Sequence, residues 1–300
     1  MLLTGANIVL LGGDARQLEV IRRLTELDAT VFAVGFDGLS TPLDGAVHAE
    51  LDGQLFEEAD ALILPAVGTD DDGTVTAVFS DRELVLEEAH IARLPRHCKV
   101  YTGMAKKYLK DLCAKYGIGL VELFERDDVA IYNSIPTAEG AVMMAIQHTD
   151  ITIHGSTAIV LGMGRTGLTL ARTLKGMGAK VKIGVRRDEH FARAYEMGLE
   201  PFYLKDLAAH AGNLDLLFNT IPTMIVTAQI IARMPSRAVI IDLASKPGGT
   251  DFRYAERRGI KALLAPGLPG IVAPKTAGRI MADCLGRLLL EDLRLGREKR

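Results

Sequence analysis

The sequence predicts an α/β protein of two doubly wound parallel-sheet domains, joined by an interdomain helix and completed by a C-terminal helix. Three observations carry this expectation. The 300 residues suit about two domains of roughly 150 residues each. Residues 7–16 and 157–167 repeat one scheme: an apolar strand, then glycines, then the start of an amphipathic helix. Behind each, runs of four or five apolar residues alternate with helical patterns, the mark of parallel strands covered on both faces.

Taken in order, residues 7–11 (NIVLL) read as the first strand, because consecutive aliphatics need burial on both faces. Residues 16–27 follow as the strongest helix, with Leu18, Ile21, Leu24 and Leu27 recurring along one stripe. Further strands are expected at 30–35, 61–64, 99–101 and 119–122, with helices between them. Pro136 reads as the opening of an interdomain helix over 137–149, since proline suits the first helical position and Ala141, Met144, Ala145 and His148 keep helical spacing. The second half offers strands at 157–161, 180–185, 214–219, 238–242 and 261–264, a weaker one at 201–203, and a helix over 166–177. A last helix over 274–295, again headed by proline, carries Ile280, Cys284, Leu288 and Leu295 on one stripe. At about 30 Å it is long enough to pack back across the first domain. The final five residues are expected to form a frayed tail. The domains are therefore 1–134, with 274–295 returning to it, an interdomain helix within 135–150, and 151–273.

Composition excludes several classes of function. With 48% hydrophobic and 24% charged residues the chain can bury full cores, and its net charge of −3 gives no footprint for nucleic acid or an anionic membrane. The N-terminus lacks a cationic leader and no apolar run approaches a membrane span of roughly 18 residues, so a cytoplasmic protein is expected. Cys98, Cys113 and Cys284 are odd in number and lack CxxC spacing, so they read as small buried hydrophobes rather than as disulfides or metal ligands. No HExxH, GxSxG, Walker or Cys/His arrangement is present, which argues against hydrolase, NTPase and metal chemistry.

The chemistry is expected at the glycines. Gly162-Met-Gly164-Arg165-Thr166-Gly167 follows a strand and opens a helix, the context a dinucleotide fingerprint requires. Gly162 permits a tight turn, Gly164 lets main chain approach a diphosphate, Gly167 lets the helix press on the strand, and the helix N-terminus supplies N–H donors. This makes 151–273 a Rossmann-like nucleotide domain. At the end of its second strand an NAD-selective chain offers a carboxylate; this one offers Arg186 and Arg187, which suit the 2′-phosphate of NADP. Asn219, Thr220, Ile221 and Pro222 close the next strand, and Leu243 and Ala244 follow the one after, where they line the rest of the cofactor slot. The proline- and glycine-rich loop 265–274, with Gly267, shapes its floor as a rigid path.

The first domain's Gly12-Gly13-Asp14 lacks the third glycine and places Arg16 in the way, so a substrate anion suits it better than a second dinucleotide. The helix N-terminus with Asp14 and Arg16 reads as a carboxylate receptor, against the alternative that Asp14 is an N-cap and Arg16 a paired surface cation. Asn133, Ser134 and Thr137 are expected to face the same cleft, and Lys275 to supply a further cation. No catalytic base is evident; Lys275 and His154 are the candidates.

Several long runs resemble one family. Residues 8–17 (IVLLGGDARQ), 124–128 (FERDD), 132–140 (YNSIPTAEG), 145–150 (AIQHTD), 219–222 (NTIP), 242–251 (DLASKPGGTD) and 262–278 (ALLAPGLPGIVAPKTAG) are similar to the dipicolinate synthase A-subunit family, over about residues 7–289. The resemblance implies oxidation of dihydrodipicolinate to dipicolinate with NADP, beside a flavoprotein-like dipicolinate synthase B-subunit, in the mother cell of a spore-forming bacterium. A non-catalytic NADP-binding component that orders its partner is the alternative, as is a related two-domain 2-hydroxy- or amino-acid dehydrogenase. Homo-oligomerisation is left open.

Overall fold

Each of the long apolar runs forms a parallel strand in the computed structural model, which describes residues 2–298. The chain divides into two units, one made of residues up to Val129 together with those from Pro274, the other of Ala130–Ala273.

The first unit contains β1 (Asn7–Leu11), α1 (Ala15–Glu26), β2 (Thr30–Val34), β3 (Ala46–Ala49), α2 (Gly53–Glu57), β4 (Ala61–Ile63), β5 (Thr74–Val75), β6 (Leu84–Val85), α3 (Glu88–Arg93), β7 (Lys99–Thr102), α4 (Lys107–Tyr116) and β8 (Gly119–Glu122). Its parallel sheet has the order β3-β2-β1-β4-β7-β8, with Ile8 opposite Val31 on one side and Ala61 on the other. Strand β1 is central and its Ile8 to Leu11 are wholly buried, as continuous aliphatics demand. The order reverses at β1, so the loops after β1 and β4 flank the position where ligands of open α/β sheets bind.

Helix α5 (Asp127–His148) carries the chain into the second unit. It begins ten residues before the expected 137, because Asp127 and Asp128 supply an acidic first turn. Pro136 thus lies inside the helix, and the hydroxyls of Ser134 and Thr137 donate to the carbonyls of Ile131 and Asn133 beside it.

The second unit contains β9 (Thr157–Leu161), α6 (Arg165–Gly176), β10 (Lys180–Val185), α7 (Asp188–Glu196), β11 (Glu200–Tyr203), α8 (Leu207–His210), β12 (Leu216–Asn219), α9 (Ala228–Ile231), β13 (Val239–Asp242), α10 (Phe252–Arg257), β14 (Lys261–Leu264) and α11 (Leu268–Val272). Its sheet has the order β11-β10-β9-β12-β13-β14, the same topology as the first. The loop expected to be rigid over 265–274 is partly the short helix α11, which Gly267 opens in a left-handed conformation.

Helix α12 (Pro274–Glu298) returns to the first unit. Met281, Ala282, Cys284, Leu285 and Leu289 are buried with Val20, Ile21 and Leu24 of α1, so the buried stripe runs one residue beyond the expected Ile280 and Leu288, which are half-buried. Gly278, Ala282 and Gly286 lie four residues apart on this face. A side chain at Gly278 would strike the main chain of Arg16, so small residues set how closely α12 approaches α1. The helix includes Gly296–Glu298 of the expected tail. Lys299, Arg300 and the side chain of Leu295 lie outside the described residues.

Candidate functional site

The glycine turn of the second unit divides its work among three residues. Gly162 leaves β9 at φ +98°, a conformation L side chains rarely adopt. Gly167 lies so close to that turn that a Cβ on it would stand 2.1 Å from the Gly162 carbonyl oxygen. Gly164 differs: it precedes α6 in extended conformation, supplies no capping side chain, and has nothing within 4 Å of where its Cβ would stand. The result is a 12-residue helix with no side-chain cap at its N-terminus, as a diphosphate site requires.

The neighbouring strand ends complete the carboxyl edge. Thr220 fastens β12 to the turn, its backbone N–H and hydroxyl both donating to the Leu161 carbonyl at 3.1 and 2.8 Å. Asn219 is fully buried; its amide donates to Asp242 at 3.1 Å and to the Ile221 carbonyl at 3.0 Å, while its oxygen accepts from the Ile221 N–H. Asp242 also accepts from the N–H groups of Ala244 and Gly249 and from the Thr250 hydroxyl. Four donors thus satisfy one buried carboxylate. Gly249 is essential here, since a Cβ on it would lie 2.4 Å from the Thr223 carbonyl oxygen. Asp242, Gly249 and Thr250 act as a frame, a role the turn-rich DLASKPGGTD run signals only through its density of glycine and hydroxyl groups. Leu243 follows the frame half-buried and Ala244 buried, Pro222 is exposed, and Gly267 lies exposed before α11, whose Leu268 rests on Gly140 of α5.

At the end of β10, Arg186 is exposed and has no ion pair among the described residues. Arg187 reaches Glu189 at 3.0 Å and His190 at 2.6 Å. Asp188, close enough in sequence to counter both cations, instead accepts from the Tyr203 hydroxyl.

The first unit's glycine turn is built differently. Gly13 donates to the Thr76 carbonyl at 2.6 Å and accepts from Val78, so the segment between β5 and β6 lies directly along Gly12 and Gly13. A Cβ on Gly12 would stand 2.7 Å from the Thr76 carbonyl oxygen. Main chain thus occupies the space a diphosphate would need. Asp14 caps α1 by accepting from the Arg16 N–H, and its carboxylate takes three further bonds from the Arg16 guanidinium at 2.9, 3.2 and 2.7 Å. Burial pushes its pKa up, but the bonds and charge of Arg16 outweigh this and hold it below the usual carboxylate range. Asp14 therefore serves Arg16 rather than an anion. Gly278 brings the first turn of α12 onto Arg16, and Lys275 in that turn is exposed with no ion pair among the described residues.

Three expectations need correction. Ser134 is buried and its hydroxyl is shared between the Ile131 carbonyl and Thr169 at 2.7 Å; Thr137 likewise turns its hydroxyl back onto Asn133. Neither offers that group to a ligand, whereas the Asn133 side-chain oxygen is buried without a partner. His154 stands before β9, its ring against Gly178 just ahead of β10. It is at the amino ends of these strands, about 15 Å of strand from the glycine turn, and is no base for chemistry there. The cysteines are buried as expected, and desolvation pushes Cys98 up to about 12 and Cys113 to about 11, so none is a ready nucleophile. Among the described residues no group of His, Cys, Asp or Glu is placed to hold a metal ion, and no helix is long and apolar enough to cross a membrane.

Residues 7–124 match the model of the N-terminal domain of the dipicolinate synthase A-subunit, and residues 133–246 that of the D-isomer specific 2-hydroxyacid dehydrogenase NAD binding domain. The dipicolinate synthase A-subunit of Bacillus subtilis (strain 168) is 54% identical over 97% of this chain and 98% of its own length. The chain belongs to the dipicolinate synthase A-subunit family. Crystal structures of family members agree: that from Bacillus halodurans has a TM-score of 0.94 at 54% identity, covering 96% of this chain and 99% of that one. The Bacillus subtilis structure has a TM-score of 0.94 at 53% identity, covering 98% of both. As a homologue of these proteins, the chain carries a dehydrogenase-type domain for a nicotinamide cofactor, and no atom stands within 4 Å of where a Gly164 Cβ would be, so the turn does not block such a group there.

Proposed function

We propose that the chain oxidises dihydrodipicolinate to dipicolinate with NADP, as the partner of a dipicolinate synthase B-subunit, in the mother cell of a sporulating bacterium. The observation that carries the cofactor assignment is the open glycine turn beside two exposed arginines at the end of β10. Gly164, Arg165, Thr166 and the α6 N-terminus hold the diphosphate, with Gly162 and Gly167 shaping the turn. Arg186 and Arg187 receive the 2′-phosphate, because guanidiniums bind phosphate oxygens by charge-assisted, often bidentate bonds. Asn219, Thr220, Ile221, Pro222, Leu243, Ala244 and Gly267 line the remainder. When bound, the nicotinamide supplies a two-electron acceptor.

The substrate loses one hydrogen with its electron pair and one proton, and becomes aromatic. Two carboxylates need cations on the chain, and Arg16, on whose main chain Gly278 seats α12, and Lys275 of that helix's first turn suit them. The proton passes to water, because Lys275 serves as a cation and an ammonium has no lone pair to accept it.

The test is to give the purified chain NADP and freshly generated dihydrodipicolinate and follow the near-ultraviolet absorbance of reduced nicotinamide. Growth with the chain alone supports the reading. Growth only after the B-subunit is added assigns the chain to cofactor binding, and failure of the chain to take up any pyridine nucleotide in calorimetry overturns it. Arg16→Ala is expected to raise KM between about tenfold and thirtyfold, the loss of one charge-assisted contact; an unchanged KM removes Arg16 from the site.

A further inference from the structure

We propose that His190 is a third partner of the cofactor's 2′-phosphate and makes the preference for NADP over NAD stronger as the pH falls. The inference rests on the cofactor reading above. His190 lies in the first turn of α7, a nine-residue helix that starts directly after Arg186 and Arg187. Its Nε2 stands 2.6 Å from an Arg187 terminal nitrogen, so the imidazole and the guanidinium converge on one point at the carboxyl end of β10. In an open sheet of this topology that point is where the adenosine ribose is met.

The contact has a consequence in protonation. A guanidinium is always a donor, so at this contact the facing imidazole nitrogen accepts. A phosphate between the two reverses this: it accepts from Arg187 and favours a second donor, which His190 becomes by taking up a proton. Histidine is the side chain whose ordinary pKa, near 6.5, allows that exchange close to neutrality. A ribose hydroxyl in NAD carries no charge and gives no such drive.

The surrounding charges leave the role to His190. Glu189 is paired with Arg187, and both side chains are more than half exposed, so this ion pair holds the guanidinium weakly. Asp188 accepts from the Tyr203 hydroxyl of β11, and Lys205 lies over the Tyr203 ring. Arg186 is the other cation at this edge.

The experiment is calorimetric titration of the full chain and of His190→Gln with NADP and with NAD at pH 6.5 and pH 8.5. Comparing the two proteins at each pH cancels titration of the phosphate itself. For the native chain the ratio of the NAD to the NADP dissociation constant is expected to exceed that of His190→Gln by about tenfold at pH 6.5 and by less than about threefold at pH 8.5. Equal ratios in the two proteins at both pH values, or equal weakening of both dinucleotides, overturn the assignment while leaving the cofactor reading in place. Uptake of neither dinucleotide by the native chain overturns both.

Discussion

Two alanine substitutions three residues apart are expected to separate stability from binding. At Gly167 an added methyl would lie 2.1 Å from the Gly162 carbonyl oxygen, against an ordinary contact of 3.4 Å or more. The obstacle is main chain, so α6 must retreat by about 1 Å from the turn it packs on. Overpacking of this kind costs about 3 kcal/mol, which for a unit the size of Ala130–Ala273 lowers the melting temperature by about 6–12 °C. At Gly164 the methyl meets nothing within 4 Å, and the extended backbone suits alanine, so the cost is confined to a poorer N-cap, about 0.5–1 kcal/mol. That methyl nevertheless fills the cradle, and dinucleotide affinity should fall at least about tenfold, or about 1.4 kcal/mol. Differential scanning calorimetry and isothermal titration on both variants give the comparison. Equal destabilisation by the two changes, or undiminished affinity in Gly164→Ala, refutes the division of roles.

Two further predictions concern how α12 is held against α1 and β7. Glu19 is nearly buried; burial raises its pKa, but Arg22 and Arg279, both bonded to its carboxylate, outweigh this and lower it from the ordinary 4.5. A lowered folded value means that its contribution is fully present above about pH 4.5 and is lost as pH falls through that folded value. Unfolding free energies of the native chain and Glu19→Gln in urea should therefore differ by about 1–2 kcal/mol at pH 7 and converge as the pH falls through the lowered folded value of Glu19; a constant difference would show that the ion pairs are not responsible. Asp292 accepts from the Tyr101 hydroxyl at 2.5 Å and from Lys99, tying α12 to β7. Asp292→Ala leaves a buried hydroxyl unpaired at about 1–3 kcal/mol, and amides of α12 should exchange faster with deuterium. Unchanged protection would mean that the apolar seam alone holds the helix.

Much of this architecture is legible in the amino-acid order. The central strands announce themselves because four buried aliphatics in a row have no other home in a protein of this composition, and the glycine turn after β9 is readable because each glycine answers a different steric demand. What stays hidden is either short or governed by partners distant in sequence. Strand β3 is a half-exposed edge strand, AVHA, with no periodicity to find, and β5 and β6 are two residues each. Their importance comes from Thr76 and Val78 reaching Gly13, a pairing across more than 60 residues. Pro136 misleads because its local rule favours a helix start, while the acidic turn at Asp127 starts the helix nine residues earlier. The arginines after β10 are visible as charges; that His190 meets one of them depends on the turn of α7.

The return of α12 to α1 orders events during synthesis. Ala130–Ala273 is contiguous and can complete its core as soon as it leaves the ribosome. The other unit cannot: its first 129 residues emerge early, yet Met281, Leu285 and Leu289, which cover α1, are made last. For the whole interval the apolar side of α1 waits uncovered, so the earliest half of the nascent polypeptide is the last to mature and the one a chaperone has reason to shield.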